Sequence, residues 1–108
     1  MSEPYITILN RTDKNRCNCV LYARSIVKSL PYGLWTIKDK NRIINSQKPE
    51  KGDVAIMSIG LPYGHVGVVT KVGFNHLTIK EANFKSCMIT ERHDTKRNLK
   101  IVGYFKPK

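Results

Sequence analysis

The apolar pattern of this 108-residue chain changes its period near residue 52, and that change limits the fold more than any other feature. Before it, from Asn18 onward, Val20, Ala23, Val27 and Leu30, with Ile26 beside them, recur at helical spacing as far as Pro31. After it come short strand-like runs: Val54 to Met57, His65 to Val72 and His76 to Asn83, with Gly73-Phe74-Asn75 as the hairpin turn between the last two. Cys87 to Ile89 and Lys100 to Phe105 close the sheet, and the charged segment from Glu91 to Asn98 reads as a solvated tip between them. Helices first and then an antiparallel sheet is the α+β class, with the N-terminal helices packed on the sheet. Ahead of the first helix, Tyr5 to Leu9 reads as a short strand or extended arm, and Asn10 to Asn15 as a polar lead-in. Thr36 can cap a second helix from Ile37 to about Ile44. The four-residue strings Leu30-Pro31-Tyr32-Gly33 and Leu61-Pro62-Tyr63-Gly64 read as recurring turn chemistry and not as an internal repeat. Lys106-Pro107-Lys108 is expected to fray.

The length fits one domain, residues 1–108, and no run approaches the roughly 20 apolar residues of a membrane-spanning helix. Met1 to Tyr5 has neither the basic flank nor the apolar core of a signal peptide, so synthesis in the cytoplasm with some other route of release is the expectation. Nineteen Lys and Arg against eight Asp and Glu give a net charge of +11, which points to an anionic partner: nucleic acid, phospholipid headgroups or cell-wall polymer. Three cysteines are an odd count, so at least one thiol is free. Cys17 and Cys19 are too close for an unstrained bridge and Cys87 is remote in sequence, so all three are expected to be reduced.

Asn18 is a good N-cap, which starts the helix at Cys19. A thiol at that position meets the positive end of the helix dipole and unpaired backbone N–H groups, and both favour thiolate. A buried structural cysteine would give the same local pattern, so position alone does not make Cys19 a nucleophile. A nucleophilic thiol also needs a base, and a third group to orient that base. Of the three histidines, His93 lies in the charged run and His76 opens a strand directly after a turn. His65 begins an apolar strand between glycines that allow close approach. On the next strand Glu81 and Asn83 are two apart and should share a face that an antiparallel hairpin can bring to His65. A structural histidine and a polar strand end remain the plain alternatives.

Four blocks in order then add to that reading: Asn18-Cys19-Val20-Leu21-Tyr22-Ala23, Pro49 to Ala55, Gly64-His65-Val66-Gly67-Val68-Val69 and Glu81-Ala82-Asn83-Phe84, followed by Val102 to Phe105. Together they resemble the CHAP family, the cysteine, histidine-dependent amidohydrolases and peptidases, over about residues 16 to 107. The resemblance implies a papain-like α+β fold with Cys19 as nucleophile, His65 as general base and then acid, and Glu81 with Asn83 orienting His65. It implies peptidoglycan amide bonds as the substrate. It also places an oxyanion hole at the Cys19 backbone N–H, with Asn18 beside it. The chain departs from the family where Asn18 replaces the usual Gln, where Leu21 and Phe84 replace Trp, and in carrying Cys17. Calcium-binding members use an acidic loop ahead of the nucleophile, whereas here only Asp13 precedes Cys19 there, so neither metal nor cofactor is expected.

The function expected from these residues and this resemblance is a monomeric cysteine amidase or endopeptidase of the phage endolysin or virion-carried type. Its partner would be bacterial peptidoglycan in an anionic envelope, reached by release or delivery to the cell wall. The rival is a small basic nucleic-acid-binding protein with no chemistry at Cys19. Its support is charge with interspersed Tyr and Phe, and no helix-turn-helix, zinc-finger spacing or RNP-like run accompanies it. No specific nucleic-acid contact is therefore expected.

Overall fold

A computed structural model describes residues 3–12 and 17–107. The chain order is β1 (Tyr5–Arg11), α1 (Cys19–Ile26), α2 (Ile37–Arg42), β2 (Val54–Met57), β3 (His65–Val72), β4 (Leu77–Ala82), β5 (Met88–Asp94) and β6 (Ile101–Phe105). All strands pair antiparallel in one six-stranded sheet of order β1-β5-β4-β3-β2-β6. The class is α+β, as the sequence pattern implies.

α1 begins where the capping chemistry places it. The Asn18 side-chain oxygen accepts from the backbone N–H groups of Val20 and Leu21, at 2.8 and 3.1 Å. The helix ends earlier than the apolar spacing suggests, at Ile26 and not near Pro31. Pro31 disfavours helical backbone at Leu30, and the Arg24 guanidinium donates to the carbonyls of Leu30 and Pro31. Val27 and Leu30 are buried all the same, whereas Ile26 is exposed. The spacing thus identified what is buried better than how long the helix runs. Thr36 caps α2 with a reciprocal box, accepting from the Asp39 N–H while the Asp39 carboxylate accepts from the Thr36 N–H.

β2 is buried along its whole length because apolar groups cover both faces of the sheet there. Val54 and Ile56 meet α1 through Val20, Ala23 and Val27, together with Val66 and Val68 of β3. Ala55 and Met57 meet Val69, Ile79, Leu99, Ile101 and Tyr104 on the other face. Helix-on-sheet packing is clear for α1; α2 joins that core through Ile37, and its buried residue is Lys40.

Three expectations need correction. β5 runs to Asp94, so Glu91 to Asp94 is strand and not solvated tip, because β1 and β4 flank it and shield it. Cys17 and Cys87 form a disulfide across 70 residues and are not reduced. The cause is the β1–β5 pairing, which sets Arg11 opposite Met88 and joins the Thr12 N–H to the Cys87 carbonyl at 2.9 Å. Lys106 is not frayed, since its ammonium reaches Glu50 and Asp53 at 2.7 and 3.1 Å. The lead-in from Asn10 to Asn15, the Asp13 position and Lys108 fall wholly or partly outside the described residues.

Candidate active site

Cys19 is the first residue of α1, and His65 is the first residue of β3. Both line a cleft of about 570 Å³, together with Asn18, Lys40, Trp35 and Phe84. Gly64 is needed at its rim: its φ is +77°, and a Cβ there would sit 2.7 Å from Ile37 Cδ1. Gly67 lets β4 approach, since a Cβ there would stand 3.3 Å from Glu81 Cβ. The glycines flanking His65 thus serve close approach on both sides.

Among the described residues, Glu81 carries the densest set of buried polar contacts. It is fully buried, and its Oε1 meets His65 Nε2 at 2.8 Å. Arg92 grips both carboxylate oxygens, Nε to Oε2 at 2.6 Å and Nη2 to Oε1 at 2.8 Å. The Thr90 hydroxyl donates to Oε2 at 3.2 Å. A buried carboxylate is unfavourable unless it is paired and hydrogen-bonded, and here every side of the group has a donor. Burial pushes the Glu81 carboxyl up, but the hydrogen bonds and charges of Arg92 and His65 outweigh it and hold the group below its ordinary range.

With Nε2 on Glu81, the imidazole has Nδ1 left for the thiol. Burial pushes the Cys19 thiol up, but its hydrogen bond and charge interaction with His65, the Val66 backbone and the nearby Lys40 bring it below the ordinary thiol range. Burial pulls His65 down, and the opposing hydrogen bonds and charges of Cys19 and Glu81 raise it above the ordinary imidazole range. Opposite shifts favour a thiolate facing an imidazolium, a nucleophile next to a proton donor.

Asn83 lines the same cleft as His65, but its side-chain hydrogen bond goes to the β4–β5 turn and not to the imidazole. β4 stops at Ala82, and Asn83 turns the chain with φ +65. Its side-chain oxygen accepts from the Cys87 N–H at 3.0 Å and lies 3.3 Å from the Cys17 sulfur. Asn83 therefore closes the β4–β5 turn at the edge of the cleft, because leaving the strand frees its side chain from the two-residue alternation that put it beside Glu81. Asn18 has its oxygen committed to the cap, which leaves its NH2 as the donor towards the cleft. The Cys19 N–H has no acceptor among the described residues.

Two groups escaped the sequence reading. The sequence pattern puts Arg92 in a charged tip, yet it is buried and its Cζ lies 3.6 Å above the Phe84 ring. Phe84 also packs against His65, with ring centroids 6.1 Å apart, so it roofs the His65–Glu81–Arg92 line. The signal available in sequence was Thr90 and Arg92 at strand spacing, directly after a strand that buries an acid. His93, also placed in the tip, is buried between Tyr5 and His76, with centroids at 5.1 and 5.3 Å, and has no contact with Cys19. Among the described residues no three His, Cys, Asp or Glu side chains gather as metal ligands, and no helix is long and apolar enough to cross a membrane.

The family model for the CHAP domain matches residues 10–83, well over half of the chain. Among curated proteins no sequence matches. Of solved structures, "The crystal structure of Ly7917" is similar with a TM-score of 0.61 at 17% sequence identity, covering 93% of this chain. The chain spans just over half of that structure's length, 56%. At that identity the likeness concerns the fold.

Proposed function

The chain belongs to the CHAP domain family, a family of peptidoglycan hydrolases, and on that premise we propose that it is a cysteine amidase or endopeptidase with a papain-like arrangement of helix and sheet. The Cys19 thiolate attacks the carbonyl carbon of a cell-wall amide, and the carbonyl electron pair moves onto oxygen. The Cys19 N–H and the Asn18 NH2 are the donors available for that oxyanion. As the tetrahedral adduct collapses, the C–N bond breaks, His65 gives its proton to the leaving nitrogen, and a thioester remains on Cys19. Water then attacks the thioester while His65 takes a proton from it, and the carboxylic acid product and the Cys19 thiolate are released. Glu81 keeps the ring oriented and stabilises its charged form. Asn83 acts at one remove, by shaping the turn that carries Phe84.

A single observation carries this reading: Cys19 and His65 line one cleft, and the His65 imidazole is held at Nε2 by the buried Glu81 carboxylate, which leaves Nδ1 for the thiol. The net charge of +11 supplies attraction to an anionic envelope. We assign the protein, as a monomer, to the phage endolysin or virion-associated lysins, made in the cytoplasm and released or delivered to the wall. The test is the clearing of a suspension of purified bacterial walls by wild type and Cys19→Ala. Wild type should lyse the walls, and the variant should be slower by roughly 10³-fold or more. Lysis by Cys19→Ala at the wild-type rate would exclude the mechanism.

A further inference from the structure

Lys40 is a charged side chain in the wall of the cleft that the hydrolytic steps above leave unused. It stands in the last turn of α2 with 3% of its surface exposed. Its ammonium donates to two backbone carbonyls, Leu34 at 3.0 Å and Tyr63 at 2.8 Å. Both acceptors are neutral. No carboxylate among the described residues is within ion-pair distance of it. The adjacent Asp39 is turned away, taking the backbone N–H groups of Trp35 and Thr36 and the Arg42 guanidinium.

A desolvated cation with no carboxylate paired directly to it is an unfavourable arrangement, and the Cys19 thiolate acts on it only as a neighbouring charge, with no hydrogen bond between them. If its task were only to tie the Leu34 and Tyr63 carbonyls together, a neutral side-chain amide with two N–H donors would serve without a buried charge. An ammonium has three donors, and the third has no acceptor among the described residues. The cleft that Lys40 lines also holds Cys19 and His65. The thiolate accounts for part of that charge but takes none of its donors, so the third N–H in the cleft wall is left for an anion that enters.

We propose that Lys40 is the anion-recognising group of this cleft, its third N–H taking a carboxylate of the substrate close to the amide that Cys19 attacks. Peptide stems of cell-wall polymers offer such carboxylates, and the assignment rests on the hydrolase reading for its substrate class. Lys40 is then a specificity residue: it selects acidic peptides over their amidated counterparts. The Cys19 thiolate also feels the same charge, though less than it feels His65.

The experiment compares two alkylating reagents of the same size on the whole protein, iodoacetate and iodoacetamide, at one pH and one salt concentration. A change in the Cys19 titration alters both rates alike, so their ratio isolates recognition of the carboxylate. Lys40→Gln should lower the iodoacetate-to-iodoacetamide ratio about tenfold, the scale of one charge-assisted hydrogen bond. Lys40→Arg should retain most of the ratio, and the exposed control Lys28→Met should leave it unchanged. An unchanged ratio in Lys40→Gln, or an equal fall in Lys28→Met, overturns the proposal. Should Lys40→Gln not fold, wild type alone decides: N-acetyl-D-alanine should protect Cys19 from iodoacetamide where N-acetyl-D-alaninamide does not, and equal protection by both overturns it. Walls left intact by a protein whose ratio behaves as stated would remove the hydrolase reading while leaving the anion site standing.

Discussion

β4, next to the middle of the sheet, and β1, at its edge, invert the usual relation between polarity and burial. β4 carries Glu81 with none of its surface exposed. β1 carries Tyr5, Ile6, Ile8 and Leu9 on a strand whose seven residues are all exposed. An isolated carboxylate would be expelled from such a core, but Glu81 has His65, Thr90 and Arg92 around it, and the position between β3 and β5 dries the site. β1 pairs on one side only, with β5, and is held by backbone bonds and by the Tyr5–His93 stack. Place in the sheet decided burial, and side-chain partners decided whether that burial was tolerable.

The sharpest way to break this contrast is to remove one side of the buried charge pair. Glu81→Gln leaves Arg92 buried without its carboxylate and should cost about 3–5 kcal/mol of stability, read from denaturant unfolding midpoints. Adding Arg92→Met to Glu81→Gln should recover part of that loss, because the orphaned cation goes with it. A double variant as weak as the sum of the singles would mean that the two groups are not coupled. The pH dependence follows from sign. Because the folded Glu81 is depressed below its ordinary range, its contribution is present above the unfolded carboxylate pKa and lost as pH falls through the folded value. Wild type should therefore lose more stability on acidification than Glu81→Gln.

A smaller effect should come from the disulfide, which ties the approach to α1 to the start of β5. Cys17→Ser removes a cross-link spanning 70 residues and should cost about 2–4 kcal/mol. Wall lysis at low temperature should persist in this variant, since Cys17 takes no part in the proposed chemistry. Loss of lysis equal to that of Cys19→Ala in a folded Cys17→Ser protein would put the site in the wrong place. Smallest of all, Ile8→Thr on the exposed edge should change stability by no more than about 0.5 kcal/mol. A loss of several times that figure would show that β1 is covered in solution and that the contrast with β4 is incomplete.

How much of this was legible in the sequence varies with the range of the interaction. The start of α1 at Cys19, the capping of α2 by Thr36 and the hairpin at Gly73-Phe74-Asn75 are set by neighbours within a few residues, and local chemistry reads them directly. The pairing of His65 with Glu81 was within reach too, because a hairpin and strand alternation bring residues 16 apart to one face. Asn83 escaped the same rule by a single residue, as β4 ended before it.

What the sequence determined by itself was the alphabet of the site: one thiol at a helix start, one glycine-flanked histidine, one acid on the following strand, and an order of blocks that resembles a known family. What tertiary structure alone decided was the company these groups keep. Arg92 on Glu81, Cys17 on Cys87 and Lys40 without a carboxylate all depend on which strand becomes an inner one and which loop meets which. Those contacts join segments far apart in the chain. Their free energy comes from excluding water around charges, and that exclusion exists only once β1, β5 and β4 lie side by side.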